Sequence, residues 1–242
     1  MDLTDRPVAL VVALEEEAHV LSQRLAPAAI PAPHLSMWAD VIEATPVVLA
    51  VVGVGKVAAA LATQFVCDTY RPRCVITFGL AGATDGDSQA GRLIVASGAL
   101  QHDMDARPLT DARGVIPGLG KAMFAADPTL SEYLRRASEL VVENPAIVTT
   151  GLVLTGDQIV TSREVRDSRL RDFPEGMCFD METAAIAQVA HQNGIPWAAL
   201  RMTSDAADES FNLDEVLSFG VNTAADLFDK ILRAFLKISR RA

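Results

Sequence analysis

The sequence predicts a single-domain, three-layer αβα sandwich with a central mixed, largely parallel β-sheet. Short apolar runs rich in β-branched residues alternate with helix-like segments along the whole 242-residue chain, which is the pattern of an α/β fold. No linker, low-complexity tract or internal repeat interrupts this alternation, and the Pro-containing stretch 30–33 is too short to separate domains. Residues 1–242 are therefore expected to form one domain.

Each predicted strand is a short apolar run bounded by glycine, proline or polar residues. The predicted strands are the segments 8–13, 41–43, 47–52, 74–78, 93–100, 147–155 and 197–202. The second and third of them are expected to form a hairpin joined at Ala44-Thr45-Pro46. The fourth is expected to be broken by Gly79 and Gly82.

Four segments have the residue pattern of a helix. They are 58–70, 129–142, 183–192 and a long terminal helix over 213–238. Pro128 precedes the second of them, which suits a helix start, and Asn193-Gly194 after the third is a helix-stop signal.

The composition favours a globular, acidic protein. Half of the residues are hydrophobic and 21% are charged, while the net charge of −10 argues against general nucleic-acid binding, which needs a basic surface. No apolar run approaches the roughly 20 residues of a membrane span. The polar N-terminus MDLTDRP is unlike a signal peptide, and three cysteines without a CxxC motif suggest neither a disulfide framework nor a zinc site. We expect a cytoplasmic protein without a metal or other cofactor and without a membrane partner.

Polar residues collect where the apolar runs end. Glu17, Asp157 and Asp205 each lie just beyond a predicted strand, and a glycine-rich turn over 79–82 follows another. Ligands of open α/β sheets bind outside the carboxyl ends of the strands. The layout therefore predicts a pocket built from several loops.

Each of the acidic residues also has an ordinary structural explanation. The three glutamates 15–17 suit the first turn of a helix, because negative charge is favourable at that end of the helix dipole. Glu182 also fits a first helical turn, but its apolar surroundings would favour pairing with Arg201 or with ligand hydroxyls. Asp205 is either the N-cap of a short helix over 206–208 or a partly desolvated proton donor at a strand end.

Two further features have competing interpretations. Gly53-Val54-Gly55-Lys56 is either a tight strand-to-helix turn or a cradle that holds an anion on free N–H groups, but it matches neither a Walker loop nor GxGxxG. His102 stands among acids in HDMDARP. We interpret it as a loop or dimer-contact residue, since no nucleophile–His–acid constellation accompanies it.

Seven segments follow one another in a distinctive order. They begin with VALVVALEEEAHVL, VVGVGKVAAALAT and CVITFGLAGA, continue with GRLIVASGALQHDMDA and TGDQIV, and end with FDMETAAIAQVAHQNGIP and RMTSDAAD. Together they resemble the 5′-methylthioadenosine/S-adenosylhomocysteine nucleosidases of the nucleoside phosphorylase superfamily. The resemblance implies a phosphorylase/hydrolase-like fold, a homodimer, and hydrolysis of the N-glycosidic bond of 5′-substituted adenosines in nucleoside catabolism and methionine salvage.

The resemblance also implies roles for individual residues. Glu17 matches the general base that activates water, and Asp205 matches the acid that protonates purine N7. Glu182 matches the residue that holds the ribose hydroxyls, and Arg201 matches an arginine near the water and the acids. Such a division of work suits N-glycosidic cleavage, because the leaving purine needs a proton while the sugar cation needs nearby negative charge.

Further matched positions would bind the substrate. Met181 would pack against the sugar, the backbone of Val160 would bind the adenine edge, and Ile159 would lie against the adenine ring. The positions matching the 5′-substituent pocket are Leu14, Val54, Ala106, Leu109, Pro117, Phe211 and Leu213. In that family the counterparts of Ala106, Leu109 and Pro117 come from the partner subunit.

The sequence departs from the family pattern in its glycine-rich turn. Leu80 stands where the family usually has a small hydroxyl residue, and Thr77 and Leu80 replace the arginine and serine that hold phosphate in phosphorylases of the superfamily. A leucine cannot bind phosphate, so the change favours water as the nucleophile and adds bulk beside the water site. Three alternatives remain open: a phosphate-dependent nucleoside phosphorylase, a futalosine-type hydrolase, and a nucleoside-binding protein without turnover.

Overall fold

A ten-stranded mixed β-sheet forms the centre of the computed structural model, which describes residues 6–32, 34–85 and 90–241. The strands are β1 Val8–Val12, β2 Ala29–Ile30, β3 Ser36–Ile42, β4 Thr45–Val51, β5 Cys74–Ala83, β6 Leu93–Gln101, β7 Met123–Ala125, β8 Val148–Thr155, β9 Gly176–Asp180 and β10 Trp197–Asp205. Their order is β10-β6-β8-β9-β5-β1-β4-β3-β2, and β7 pairs with residues 98–100 of β6. Strands β4, β1, β5 and β10 pair in parallel, whereas β3–β4 and β6–β10 are antiparallel, so the expected mixed sheet is confirmed.

One half of the sheet closes on itself. Strand β5 pairs with β10 along most of its length and also with β9 at its end, where Gly82 lies opposite both Asp205 and Phe179. Since β10, β6, β8 and β9 pair in that order, these five strands form a ring. The ring brings the ends of β5, β9 and β10 next to one another.

Helices cover both faces of the sheet. They are α1 Glu15–Leu25, α2 Lys56–Tyr70, α3 Pro128–Val141, α4 Arg163–Asp172, α5 Thr183–Gln192, α6 Leu213–Phe219 and α7 Ala225–Arg241. Successive strand residues point to opposite faces, so Leu10 packs in the core with α1, α3 and α7, while Val11 packs in the core with α2 and α5. In the described ranges, none of these helices has the length and apolar character needed to cross a membrane.

The structure corrects two details of the predicted strands. The hairpin turn is Glu43-Ala44, both at positive φ (49° and 57°), and Thr45 and Pro46 already belong to β4. Such a two-residue turn matches the twist of the paired strands better than the expected one. Strand β5 is not broken at Gly79 or Gly82 but continues to Ala83, because its end is paired with β10 and β9.

The terminal helix is interrupted. Instead of one helix over 213–238, α6 and α7 are separated by a π-helical turn, Gly220–Ala224. A Cβ placed on Gly220 would contact the Glu16 Cβ at 3.4 Å and the Leu80 Cδ1 at 3.5 Å, so this turn lies close to α1 and β5. The interruption therefore falls where the chain passes the glycine-rich end of β5.

Candidate active site

A pocket lies at the carboxyl ends of β1, β5 and β10, where ligands of α/β sheets bind. Most of the residues predicted to act or bind line it: Leu14, Glu17, Val54, Leu80, Ile159, Val160, Met181, Glu182, Asp205, Phe211 and Leu213. The remaining lining residues include Ala13, Ala81, Gly82, Gln158, Phe179, Asp180, Ser204, Val216 and Leu217. Four carboxylates therefore face one largely apolar pocket.

Glu17 is held at the start of α1 with both carboxylate oxygens occupied. The Leu80 N–H donates to Oε1 at 2.7 Å and the Leu14 N–H donates to Oε2 at 3.0 Å. The side chain is buried, and this desolvation raises the pKa of Glu17, although the Arg201 charge and the two N–H donors oppose the rise. The first-turn position predicted for the three glutamates is confirmed, and only Glu17 among them lines the pocket.

Glu182 immediately precedes α5, and its side chain lines the pocket. The Gly55 N–H donates to its Oε1 at 2.7 Å. Burial raises the pKa of Glu182 to about 8, and the negative charge of Asp180 adds to that rise. The pairing with Arg201 that its surroundings suggested is not present, since Arg201 donates to Asp180 instead.

Asp205 is the last residue of β10 and lines the pocket. Its Oδ1 accepts from the Ala207 N–H at 2.9 Å, and its Oδ2 accepts from the Ser204 hydroxyl at 2.8 Å. No helix follows at 206–208, so the alternative interpretation of Asp205 as a helix N-cap is wrong. The short local hydrogen bond to residue 207 serves a tight turn instead.

Arg201 lies beneath the pocket rather than in its lining, with only 2% of its surface exposed. Its Nε donates to Asp180 Oδ2 at 2.8 Å and to the Thr183 hydroxyl at 2.9 Å, and its Nη2 donates to the Thr77 hydroxyl at 3.2 Å. A Cβ on Gly79 would lie 2.5 Å from Arg201 Nη1 and 3.0 Å from Glu17 Oε1. Gly79 therefore makes room for the guanidinium beside Glu17.

In the glycine-rich turn before α2, two backbone N–H groups donate to carboxylates of the protein and the Gly53 N–H donates to the Ala13 carbonyl at 3.0 Å. Gly55 donates to Glu182, and the Lys56 N–H donates to Asp157 Oδ1 at 2.8 Å. The Lys56 ammonium is paired with Asp103 at 2.7 Å. These contacts support the tight-turn interpretation of this segment over the phosphate cradle.

His102 lies in the turn that follows β6, as the loop interpretation predicted, and its side chain is fully buried behind the pocket wall. Its ring meets Phe179 edge-on with the centroids 5.5 Å apart. Burial lowers the pKa of His102 to about 4, so the imidazole is neutral near pH 7. The acidic residues near His102 in the sequence gave no sign of this burial. In the structure Asp103 is paired with Lys56, and Asp105 is paired with Arg107.

Besides Arg201, three predicted residues lie outside the pocket lining of this chain. They are Ala106, Leu109 and Pro117, on the long loop between β6 and β7. Leu109 is 83% exposed. Conversely, Asp180 lines the pocket but was not among the predicted site residues. Its position directly before Met181 and Glu182, which were predicted to bind the substrate, is the sequence signal that could have identified it.

The ring of strands and the acidic pocket at its end define the class of this protein. A sequence profile described as the phosphorylase superfamily matches residues 7–237, so the chain belongs to that superfamily.

Solved and curated relatives narrow the class. The chain is 31% identical to the Neisseria meningitidis 5′-methylthioadenosine/S-adenosylhomocysteine nucleosidase in complex with methylthio-immucillin-A, with a TM-score of 0.87 and coverage of 96% of this chain and 99% of that one. It is 29% identical over 202 residues to the nucleosidase of Staphylococcus aureus (strain JH9), covering 83% of this chain and 87% of that protein. Futalosine hydrolase of Helicobacter pylori, at 22% identity and a TM-score of 0.86 over 98% of this chain and 99% of that one, shares the fold. Within the superfamily, the chain belongs to the 5′-methylthioadenosine/S-adenosylhomocysteine nucleosidases.

Proposed function

We propose that this protein hydrolyses the N-glycosidic bond of 5′-methylthioadenosine, S-adenosylhomocysteine or related 5′-substituted adenosines, releasing adenine and the 5′-substituted ribose. The observation that carries the proposal is the set of three carboxylates, Glu17, Glu182 and Asp205, facing one pocket. Each has different hydrogen-bond partners, so the three can hold different protonation states. Relatives named as nucleosidases of these two compounds support the choice of substrates.

In this mechanism Asp205 gives its proton to N7 of adenine as the C1′–N9 bond breaks and its electron pair goes to the base. Glu182 accepts hydrogen bonds from the ribose hydroxyls, and the fraction of it that is ionised, which grows as the pH approaches its raised pKa of about 8, stabilises the positive charge that grows on the sugar. Glu17 takes a proton from water while the water oxygen bonds to C1′. Transfer of that proton to solvent and reprotonation of Asp205 restore the enzyme.

Water, and not phosphate, is the nucleophile in this proposal. The described lining contains four carboxylates and no lysine, arginine or histidine, a field that disfavours a phosphate dianion. Leu80 adds an apolar side chain beside Glu17, to which its own N–H donates. The Arg201 guanidinium is paired with Asp180 beneath the lining.

The base and the 5′ substituent bind on apolar surfaces. We assign the adenine to Ile159 and to the backbone of Val160, and the sugar face to Met181. The 5′ group lies among Leu14, Val54, Phe211 and Leu213 of this chain. The partner subunit's loop adds the counterparts of Ala106, Leu109 and Pro117.

The homodimer, the domain organisation and the location are part of the proposal. The profile match over 7–237 supports a single domain over residues 1–242. The exposed Leu109 supports a dimer in which this loop reaches the neighbouring pocket. We also propose a cytoplasmic enzyme of nucleoside catabolism and methionine salvage.

The proposal is tested by adenine release from methylthioadenosine, adenosylhomocysteine and 5′-deoxyadenosine, each with and without phosphate. We expect release at equal rates in both conditions. Release that requires phosphate would identify a phosphorylase, and nucleoside binding without release of adenine would identify a binding protein.

A further inference from the structure

We infer that Asp180 is a positioning residue for this hydrolysis, because it holds the Arg201 guanidinium beside Glu17. The inference rests on the proposed function, in which Glu17 activates water. Nothing in the resemblance assigned Asp180 a role.

Asp180 is buried at the end of β9 with both carboxylate oxygens engaged. Its Oδ1 accepts from the Thr155 hydroxyl, and its Oδ2 accepts from the Thr183 N–H at 3.1 Å, from the Thr183 hydroxyl and from Arg201 Nε at 2.8 Å. The Thr155 hydroxyl also accepts from the Ala184 N–H at 2.9 Å. Asp180 thus joins β8, the start of α5 and β10 at one point, and its position is fixed from three directions.

Arg201 receives its orientation from this carboxylate. Its Nε donates to Asp180 and Thr183, and its Nη2 donates to Thr77, so the guanidinium plane is held along one edge. Nη1 has no hydrogen-bond partner among the described residues, although it is buried. Gly79 is adjacent to both Nη1 and Glu17 Oε1, which places the free donor next to the carboxylate of Glu17.

Asp180 and Arg201 have opposite effects on the pKa of Glu17. The Arg201 charge lowers the pKa of Glu17 while the Asp180 charge raises it, and burial raises it further. The charged and titratable groups that face Asp180 from the surrounding elements are Glu17 on α1, His102 after β6, Cys178 on β9, Glu182 before α5 and Arg201 on β10. Among them Arg201 is the only cation at neutral pH, since His102 is neutral there.

Removing the charge of Asp180 would therefore lower the pKa of Glu17 in two ways. The direct repulsion between the two carboxylates would disappear, and the Arg201 charge would no longer be compensated. Both effects stabilise the ionised form of Glu17 and make it a weaker base.

The test is the pH dependence of kcat/KM for Asp180→Asn, with Asp208→Asn as the matched control. Asp208 is also a buried aspartate paired with an arginine, Arg163, but it does not line the pocket. For Asp180→Asn we expect kcat to fall at least about 10-fold and the acid limb of kcat/KM to move about one pH unit lower. Asp208→Asn is expected to lose stability and to keep the wild-type pH profile. A folded Asp180→Asn protein with the wild-type profile overturns the inference.

Two further experiments apply if Asp180→Asn does not fold or if the wild-type protein releases no adenine. If Asp180→Asn does not fold, Thr183→Val removes the hydroxyl that Arg201 Nε shares with Asp180, and Thr183→Ser retains it. We expect a lower kcat for the valine variant alone, and equal values would overturn the inference. If wild-type protein releases no adenine, the proposed function fails. Carbon-13 NMR titration of Glu17 in wild type and Asp180→Asn then tests the role of Asp180 without turnover. We expect a lower pKa of Glu17 in the variant, and an unchanged pKa would contradict the inference.

Discussion

Glu17, Glu182 and Asp205 have the same functional group in one pocket but different surroundings. Glu17 accepts from two backbone N–H groups, Glu182 accepts from one, and Asp205 accepts from a backbone N–H and a neighbouring hydroxyl. Burial raises the pKa of both Glu17 and Glu182. These local differences allow one carboxyl group to donate a proton while another accepts one.

Asp205→Asn is expected to abolish turnover while nucleoside binding largely survives. The amide can still accept a hydrogen bond but cannot deliver a proton to the leaving base, and loss of a positioned acid costs about 10²–10⁴-fold in rate. Adenine release and equilibrium binding of methylthioadenosine measure the two effects. Wild-type turnover in this variant would mean that Asp205 serves only the turn to Ala207.

Glu182→Gln is expected to change the pH dependence of stability. The folded-state pKa of Glu182, about 8, lies above the ordinary value of 4.5, so the folded protein binds more protons than the unfolded chain between these values. The contribution of Glu182 is therefore fully present below about pH 4.5 and is lost as the pH rises towards 8. The unfolding free energy of the variant relative to wild type should increase across this range by on the order of a few kcal/mol.

Urea unfolding at several pH values between 5 and 8 measures this difference. A difference that stays constant with pH would contradict the raised pKa of Glu182. In the same variant, kcat and kcat/KM should fall by similar factors with KM nearly unchanged, because the carboxylate acts on the charge of the transition state.

The residue types of the pocket could be predicted from the sequence, but their pairing could not. Eleven predicted residues line the pocket. Arg201 was one of two predicted partners of Glu182, with ligand hydroxyls as the other, whereas Arg201 binds Asp180. Asp180 and Glu182 are only two positions apart, so the sequence alone does not decide which carboxylate meets the arginine of another strand.

At the scale of single elements, segments with strong periodicity were predicted well. Helix α5 has the predicted bounds, and α3 differs by one residue at each end. Helix α4, with the sequence REVRDSRLRD, was missed because it has few apolar residues to reveal a period. Strand β9 was missed because its five residues include Gly176 and Asp180, which strands disfavour.

The turn before α2 is predicted to depend on Gly55. Its φ of 99° is disfavoured for residues with a side chain, and a Cβ there would lie 3.1 Å from Asp157 Oδ1. Gly55→Ala should lower the unfolding free energy by about 1–3 kcal/mol and reduce adenine release, because the Gly55 N–H orients Glu182.

Gly194→Ala is the matched control for that variant. Gly194 also has a positive φ, 65°, but nothing lies within 4 Å of an added Cβ and the residue is outside the pocket. Its effect on stability should be smaller, and its adenine release should equal that of wild type. Wild-type activity in Gly55→Ala would show that the turn does not orient Glu182.

At the scale of the whole molecule, the sequence predicted the layers but not the closure of the sheet. Strand β5 pairs with β10 and β9, which follow it by about a hundred residues, and no local pattern encodes such distant partners. The closure explains why the predicted break at Gly79 and Gly82 is absent. The two glycines instead let side chains of β10 approach β5. A Cβ on Gly79 would lie 2.5 Å from Arg201 Nη1, and a Cβ on Gly82 would lie 3.0 Å from Asp205 Oδ1.

Sedimentation velocity is expected to give twice the chain mass of 25.8 kDa. Leu109→Asp should shift the equilibrium towards monomer and lower activity, because the loop would place a charge in an apolar interface. Leu140→Asp, at a position 74% exposed on α3, is the matched control and should leave both unchanged. A fully active wild-type monomer would refute the contribution of a partner loop to the pocket.

In the proposed reaction the pocket delivers water, activated by Glu17, to C1′ of a 5′-substituted adenosine. The most direct measurement is turnover of methylthioadenosine in H₂¹⁸O containing phosphate, with mass analysis of the sugar product before its anomeric oxygen exchanges with solvent. We expect adenine and a free sugar carrying one ¹⁸O at C1′, with a rate that is independent of phosphate and strongly reduced in Glu17→Gln. A sugar 1-phosphate without solvent ¹⁸O, or an unimpaired Glu17→Gln variant, would contradict it.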